Sequence, residues 1–267
     1  MLSKISVLVL VAMVICVCGQ NAEAAGVGPV DPITKFPIYY LDEKGQMVAG
    51  PPPVGDNSSA PTNIFDPVIP GHALSVPTGF GLEYFYWQAR VDPDFRTRSG
   101  KVAITFGLLA TYAGRTLQAG QQTVFSRIHL RAALPAAGTY TFDHPYGTDT
   151  FKVTMDDVVL KRPVDFTREV GIAAGDFNAV IAQGGDVLKG FLVANTTIAA
   201  DPSEWIGDGV TMATVTGGLI RDFVKLTGPP GARLNPVTDA NFIRTDLFIV
   251  SGHLWHHYRR RHDHDRF

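Results

Sequence analysis

Two runs near the middle of the chain decide what it can fold into. From Lys101 to Tyr112, the side chains of Val102, Ile104, Phe106, Leu108, Ala110 and Tyr112 occupy every second position. Ala103, Thr105, Gly107 and Thr111 lie between them, with Leu109 the one large apolar exception. From Thr123 to Ala133 the alternation is sharper: Val124, Ser126, Ile128, Leu130 and Ala132 on one face, Phe125, Arg127, His129 and Arg131 on the other. Side chains on a strand repeat every second residue and those on a helix every 3.6, so both runs are half-buried strands. Each has an apolar face that a second layer must cover.

Shorter segments continue the pattern. Leu82–Val91 (LEYFYWQARV) is aromatic and strand-like, and simple alternation buries either Phe85 and Trp87 or Tyr84 and Tyr86. Further strands are predicted at 139–142, 150–154, 158–160, 164–170, 210–216, 223–226 and 245–250, separated by Gly/Pro turns such as Pro135-Ala136-Ala137-Gly138. Strands of this length and spacing predict an all-β chain, an antiparallel β-sandwich of Ig-like or jelly-roll-like type. One stretch departs from period two. In Gly175–Val193 the spacing of Phe177, Val180, Ile181, Val187, Leu188, Phe191 and Leu192 is helical, and Gly184-Gly185 divides it into two short turns.

The N-terminal third reads differently. Phe36-Pro37-Ile38-Tyr39-Tyr40-Leu41 and Met47-Val48-Ala49 flank Asp42-Glu43-Lys44-Gly45, a hairpin with Gly45 at a left-handed turn position. The Pro/Gly-rich segment 50–61 has no periodicity and reads as a linker. The organisation expected is a signal peptide over 1–24, a hairpin arm and linker over 25–65, a sandwich over 66–250 with a possible division near 162, and a C-terminal tail over 251–267.

Residues 1–24 carry the signal-peptide pattern: Lys4, the apolar run Ile5–Cys18, and Ala22-Glu23-Ala24 with small residues three and one positions before the expected cleavage. A retained anchor is disfavoured because the run is shorter than the roughly 20 residues that span a bilayer. A lipoprotein is disfavoured because Ile15 and Val17, not small residues, precede Cys16 and Cys18. The chain has 2 cysteines, both in this leader, so cleavage leaves a mature protein with no disulfide, thiolate metal site or cysteine nucleophile. A net charge of −2 provides no global field to draw nucleic acid. No later run is long and apolar enough to span a membrane. The expectation is a secreted or cell-surface protein.

The segments FPIYYLDEKG, EYFYW, VFSRIHLRA, PAAGTYTFDHPYGTDTFKV, DFTREVGI and GDF, in that order, resemble a family of secreted bacterial β-domain proteins with no established activity. The resemblance covers most of Phe36 to Gly252 and is most specific over Gly138–Val153. It implies a secreted β architecture. It also implies a cysteine pair after the hairpin, where this chain instead has GPPPVGDNSS.

Candidate chemistry is thin. Five of the 8 histidines, His253, His256, His257, His262 and His264, crowd the tail with Asp263 and Asp265, a compositional signal for zinc, copper or nickel. The simpler reading is a solvated chain end. Arg259-Arg260-Arg261 beside Trp255 and Tyr258 suit an anionic surface. Arg127, His129 and Arg131 form a basic ladder roughly 13 Å long, suited to an acidic glycan or a neighbouring subunit, against the ordinary reading of a solvent face. His144 next to Asp143 suggests acid–base chemistry, but its turn context favours packing. Asp92, Asp94, Asp156 and Asp157 lack a full calcium-ligand spacing. No Gly-x-Ser-x-Gly, His-Glu-x-x-His or phosphate loop occurs.

The expected function is therefore non-enzymatic: a structural or adhesive extracellular protein that assembles with itself by docking Phe36, Ile38 and Tyr40 on a neighbouring sheet edge. The alternative is a metal- or glycan-binding module that uses the tail or the basic strand.

Overall fold

The computed structural model describes residues 24–51, 66–195 and 205–255. In chain order the strands are β1 (Gly26–Val27), β2 (Tyr39–Leu41), β3 (Met47–Ala49), β4 (Tyr84–Val91), β5 (Arg96–Thr97), β6 (Gly100–Tyr112), β7 (Gln122–Ala132) and β8 (Gly138–His144). They continue with β9 (Gly147–Val153), β10 (Val164–Val170), β11 (Val193–Ala194), β12 (Trp205–Thr216), β13 (Val224–Thr227), β14 (Phe242–Thr245) and β15 (Leu247–His253). Three short helices interrupt them: α1 (Ser75–Thr78), α2 (Met155–Val159) and α3 (Ala179–Ala182).

The protein is all-β and sandwich-like. An 8-stranded antiparallel sheet runs β10-β7-β6-β4-β15-β12-β11, with β5 paired to β6. A 4-stranded sheet, β14-β13-β8-β9, lies over one end of its core face, and the 3-stranded sheet β1-β2-β3 covers the other. Phe106 of the large sheet meets His144 and Tyr146 of the smaller layer, and Phe166 meets Phe142.

The period-two runs became β6 and β7, two of the three longest strands among the described residues. β6 and β7 pair from Val102↔Ala132 to Tyr112↔Gln122 without a register break, so Val102, Ile104, Phe106, Leu108 and Ala110 stand beside Leu130, Ile128 and Val124 in the core. A one-residue slip would turn that set to the opposite face, which is why alternation this regular fixes register. β4 does not obey simple alternation. It carries a bulge between the pairs Phe85↔Leu109 and Trp87↔Leu108. The extra residue switches parity, so Tyr84, Tyr86 and Trp87 are all buried and Phe85 is half-buried.

The strand expected at 158–160 is corrected: Met155–Val159 is helical. Thr154 accepts from the Asp157 N–H while the Asp157 carboxylate accepts from the Thr154 N–H, a capping box that closes the first turn. The helical spacing in 175–193 produces α3 and a 3₁₀ turn over Asp186–Lys189, separated by Gly184-Gly185. Val180, Val187, Leu188, Phe191 and Leu192 from this insert are buried in the core, and Trp87 Nε1–H donates to the Leu192 carbonyl.

The hairpin is not a free arm. Phe36, Tyr40 and Val48 are completely buried in the same core as β4 and β6. Phe36 packs on Phe80 at 5.5 Å, Tyr112 at 5.8 Å and Phe177 at 6.0 Å between ring centroids. Tyr40 crosses Tyr86 edge-on at 5.2 Å. Each phenol then ties backbone to backbone: Tyr40 donates to the Phe177 carbonyl, Tyr86 to Pro37 and Tyr84 to Gly50. Buried tyrosines need such partners, and these three satisfy the need by stapling the N-terminal segment to the sheet. Val48 also bridges Leu254 beyond β15.

Candidate functional site

The basic ladder on β7 is placed as its alternation implies, but it is not a free cationic surface. Its neighbour β10 runs antiparallel, with Glu169 opposite Arg127, Thr167 opposite His129 and Asp165 opposite Arg131. Arg127 donates to Glu169 at 2.7 Å and to Glu83 at 3.0 and 3.3 Å. Burial works against its charged form, yet these two carboxylates outweigh it and hold the guanidinium above its ordinary value. His129 Nε2 lies 3.0 Å from Asp165. At Arg127 and His129 the expected acidic-glycan surface already has counter-charges from within the chain, from Glu169 and Asp165 of β10 and from Glu83, whereas Arg131 is exposed and makes no ion pair among the described residues.

His144 is the most enclosed titratable side chain near a carboxylate. It lies at the end of β8, with no exposed surface, between the rings of Phe142 at 4.9 Å, Phe106 at 6.0 Å and Tyr146 at 6.4 Å. The Tyr146 N–H donates to Nδ1 at 3.3 Å, so the ring proton sits on Nε2 and points to Asp149 at 3.0 Å. Arg168 of β10 reaches from the large sheet to Asp149 at 2.5 Å and to Asp186 at 2.9 Å. One guanidinium thus links both sheets and the helical insert. Burial foremost drives the His144 pKa down to about 4, with Asp149 opposing and Arg168 reinforcing the shift. The imidazole is neutral, walled in by rings and engaged at both nitrogens by its own chain. This is the packing role that its turn context predicted.

The hairpin turn holds a second buried group. Asp42, 1% exposed, accepts from the N–H of Lys44 at 2.9 Å, of Gln46 at 2.8 Å and of Phe191 at 2.6 Å. Burial raises its carboxyl above the usual range, with the three N–H donors opposing. Lys44 Nζ donates to the carbonyls of Gly217 and Gly218, and the Glu43 N–H to Leu188. Asp42→Ala is expected to cost about 2 kcal/mol, chiefly because the buried Phe191 N–H loses its acceptor while the turn amides find water. A urea titration of both proteins checks this. Beside the turn, a cavity of about 320 Å³ is lined by Ala24, Ala25, Glu43, Ile181, Gly184, Gly185 and Leu188.

The outer face of the 4-stranded sheet went unread in the sequence. Its rows follow from register: Thr148, Asp143, Lys225 and Arg244 in one, and Thr150, Thr141, Thr227 and Phe242 in the next, with Lys152 and Thr139 beyond. Lys225 Nζ lies 4.8 Å over the Phe242 ring and the Arg244 guanidinium 4.2 Å over Phe223. Arg221 bonds Asp143 at 3.1 Å and the Gly147 carbonyl at 2.8 Å. The strands predicted at 139–142, 150–154 and 223–226 anticipated β8, β9 and β13, but nothing in the sequence showed that they pair. β13 lies far from the other two in sequence.

Of the tail histidines, His253 closes β15 and packs on Trp205 with its ring tilted, at 4.3 Å between centroids. His256, His257, His262 and His264 lie outside the described residues. Among the described residues no three or more His, Cys, Asp or Glu side chains gather as a metal site. Asp157 is occupied in the α2 cap, and Asp92 accepts from the Asp94 N–H in a turn. Among the described residues no helix is long and apolar enough to cross a membrane. No family model, curated protein or solved structure matches the chain.

Proposed function

We propose that the protein is exported and acts by contact rather than catalysis, as a structural or adhesive sandwich outside the cytoplasm. The observation that carries this reading is the use made of its acid–base pairs. His144–Asp149 is sealed in the core, His129–Asp165 belongs to a charge-paired strand face, and neither imidazole is bonded to a hydroxyl or thiol among the described residues. A general base must reach a substrate proton or a nucleophile, and neither histidine is placed to do so.

The N-terminal pattern supports export. Cleavage after Ala24 would set the new α-ammonium of Ala25 in the cavity that Glu43 also lines. The docking face expected on Phe36, Ile38 and Tyr40 is not free for a partner, because Phe36 and Tyr40 are buried in the molecule's own core and Ile38 is half-buried. N-terminal sequencing of the native protein from fractionated cells tests the reading. A chain beginning at Ala25 in the extracytoplasmic fraction is expected, and an unprocessed cytoplasmic chain would overturn it.

A further inference from the structure

The two β surfaces treat charge differently. On β7, Arg127 is paired with Glu169 and Glu83 and His129 lies against Asp165, which leaves only Arg131 of that ladder without an ion pair among the described residues. On the outer face of the 4-stranded sheet, Lys152, Lys225 and Arg244 have no carboxylate partner among the described residues, and the one acid of these rows, Asp143, is bonded by Arg221. The surface has the spacing of a regular sheet, so its four strands span about 14 Å and its threonines repeat at about 4.8 Å across the strands. Thr150 on β9 and Thr139 on β8 are exposed, and Thr141 and Thr227 half-exposed, in the same rows as the cations, while the exposed Thr148 already donates to Asp143 and accepts from Arg221.

Each feature narrows the partner. Lys225 and Arg244 rest on phenyl rings, which holds the charged groups over the sheet and lowers the entropy lost when they bind an anion. Threonine hydroxyls both donate and accept, and their χ1 is stiff, so they present a fixed array for hydroxyl-rich ligands. The rings carry their own cations, which disfavours base stacking and with it single-stranded nucleic acid. Phe242 is the only large apolar side chain of these rows that is exposed, too little for insertion between lipids.

We infer that this face, through Lys152, Lys225, Arg244 and the threonine rows, binds an acidic polysaccharide of the polyuronate class. The inference rests on the export reading and names the partner that reading leaves open.

The test uses the mature protein with polygalacturonate as probe, at low and high salt, measured by calorimetry. Dextran, double-stranded DNA and phosphatidylglycerol vesicles serve as comparison partners. Salt-sensitive binding to polygalacturonate and not to dextran is expected. Lys225→Glu/Arg244→Glu is expected to weaken it at least about tenfold, since it removes two attractions and adds two repulsions. Arg131→Glu, on the other large surface, is expected to leave it unchanged. Lys225→Gln/Arg244→Gln, which adds no repulsion, gives a smaller loss and keeps the test valid if the reversal variant does not fold. No binding, binding insensitive to both double variants, or preference for DNA or vesicles would overturn the inference. Failure of binding by a protein found processed outside the cell would leave the export reading standing.

Discussion

Phe36→Ala is expected to lower the free energy of unfolding by about 4 kcal/mol. Phe36 has no exposed surface and is enclosed by Phe80, Tyr112 and Phe177, three rings contributed by three separate parts of the chain. Truncation removes the transfer free energy of the ring. It also leaves a cavity that cannot close readily, because Tyr112 is held in β6 and the Pro37 carbonyl next to Phe36 is fixed by Tyr86. A residue on a free docking arm would cost less than about 0.5 kcal/mol when truncated. Urea unfolding of the two proteins separates these values easily, and an effect of the smaller size would mean that the hairpin is not part of the core.

The second large effect is on the pH dependence of stability. The folded state holds His144 at about 4 against an ordinary 6.5, because burial disfavours the imidazolium. A depressed folded pKa means that the unfolded chain binds the proton first. The contribution of the neutral, buried imidazole is therefore complete above pH 6.5, is lost as pH falls from 6.5 to 4, and changes no further below that. Over that window the loss is about 3 kcal/mol. Asp42 and Asp186 act the other way, since burial raises both carboxyls and the fold takes up protons there before the unfolded chain does. They offset part of the loss toward the acid end. Asp208, held below its ordinary 3.8 by Thr211 despite its burial, adds a loss only at lower pH. His144→Gln keeps a neutral donor toward Asp149 and cannot titrate. Its unfolding free energy is expected to fall about 3 kcal/mol less between pH 7 and pH 4 than that of the parent. Parallel pH profiles for the two proteins would contradict the assignment.

These expectations also show which parts of the fold were legible in residue order. β6, β7 and β10 were readable because each is a local alternation with one covered face, and their observed ends fall within a residue of the alternating runs. The two turns around Gly184-Gly185 were readable by the same reasoning at period 3.6. Helix α2 was misread as a strand from its apolar run Val158–Leu160, although Thr154-x-x-Asp157 ahead of that run is itself a capping signal. The bulge at Tyr86 has no signature in alternation, which leaves the choice between two buried pairs open when in fact three of the four aromatics are buried.

The site was harder to read than the fold because its content is relational. Arg127 and His129 look like a cationic ladder until β10 brings Glu169 and Asp165 beside them. Phe36 and Tyr40 look like an unpartnered hairpin face until Phe80, Tyr86 and Tyr112 close over them. Lys225 and Arg244 attract no notice in sequence, and acquire meaning only beside Phe242, Phe223 and the threonines of β8 and β9. In each case the deciding partner belongs to another strand or loop, 17 residues away for Lys225 and Phe242 and farther for the others.

The central claim is that the N-terminal hairpin and the sandwich form one cooperative unit, so that contact with other molecules must use the outer surfaces. Native-state hydrogen exchange on the hairpin amides tests this most directly. The N–H groups of Gly28, Ile38 and Gly50 donate to the carbonyls of Tyr39, Pro29 and Ile38, within the segment that Phe36 and Tyr40 anchor in the core. Their opening free energy is expected to equal that of the central amides of β6 and β7. Exchange through a low-energy local opening, with β6 and β7 still protected, would show instead that the hairpin detaches on its own.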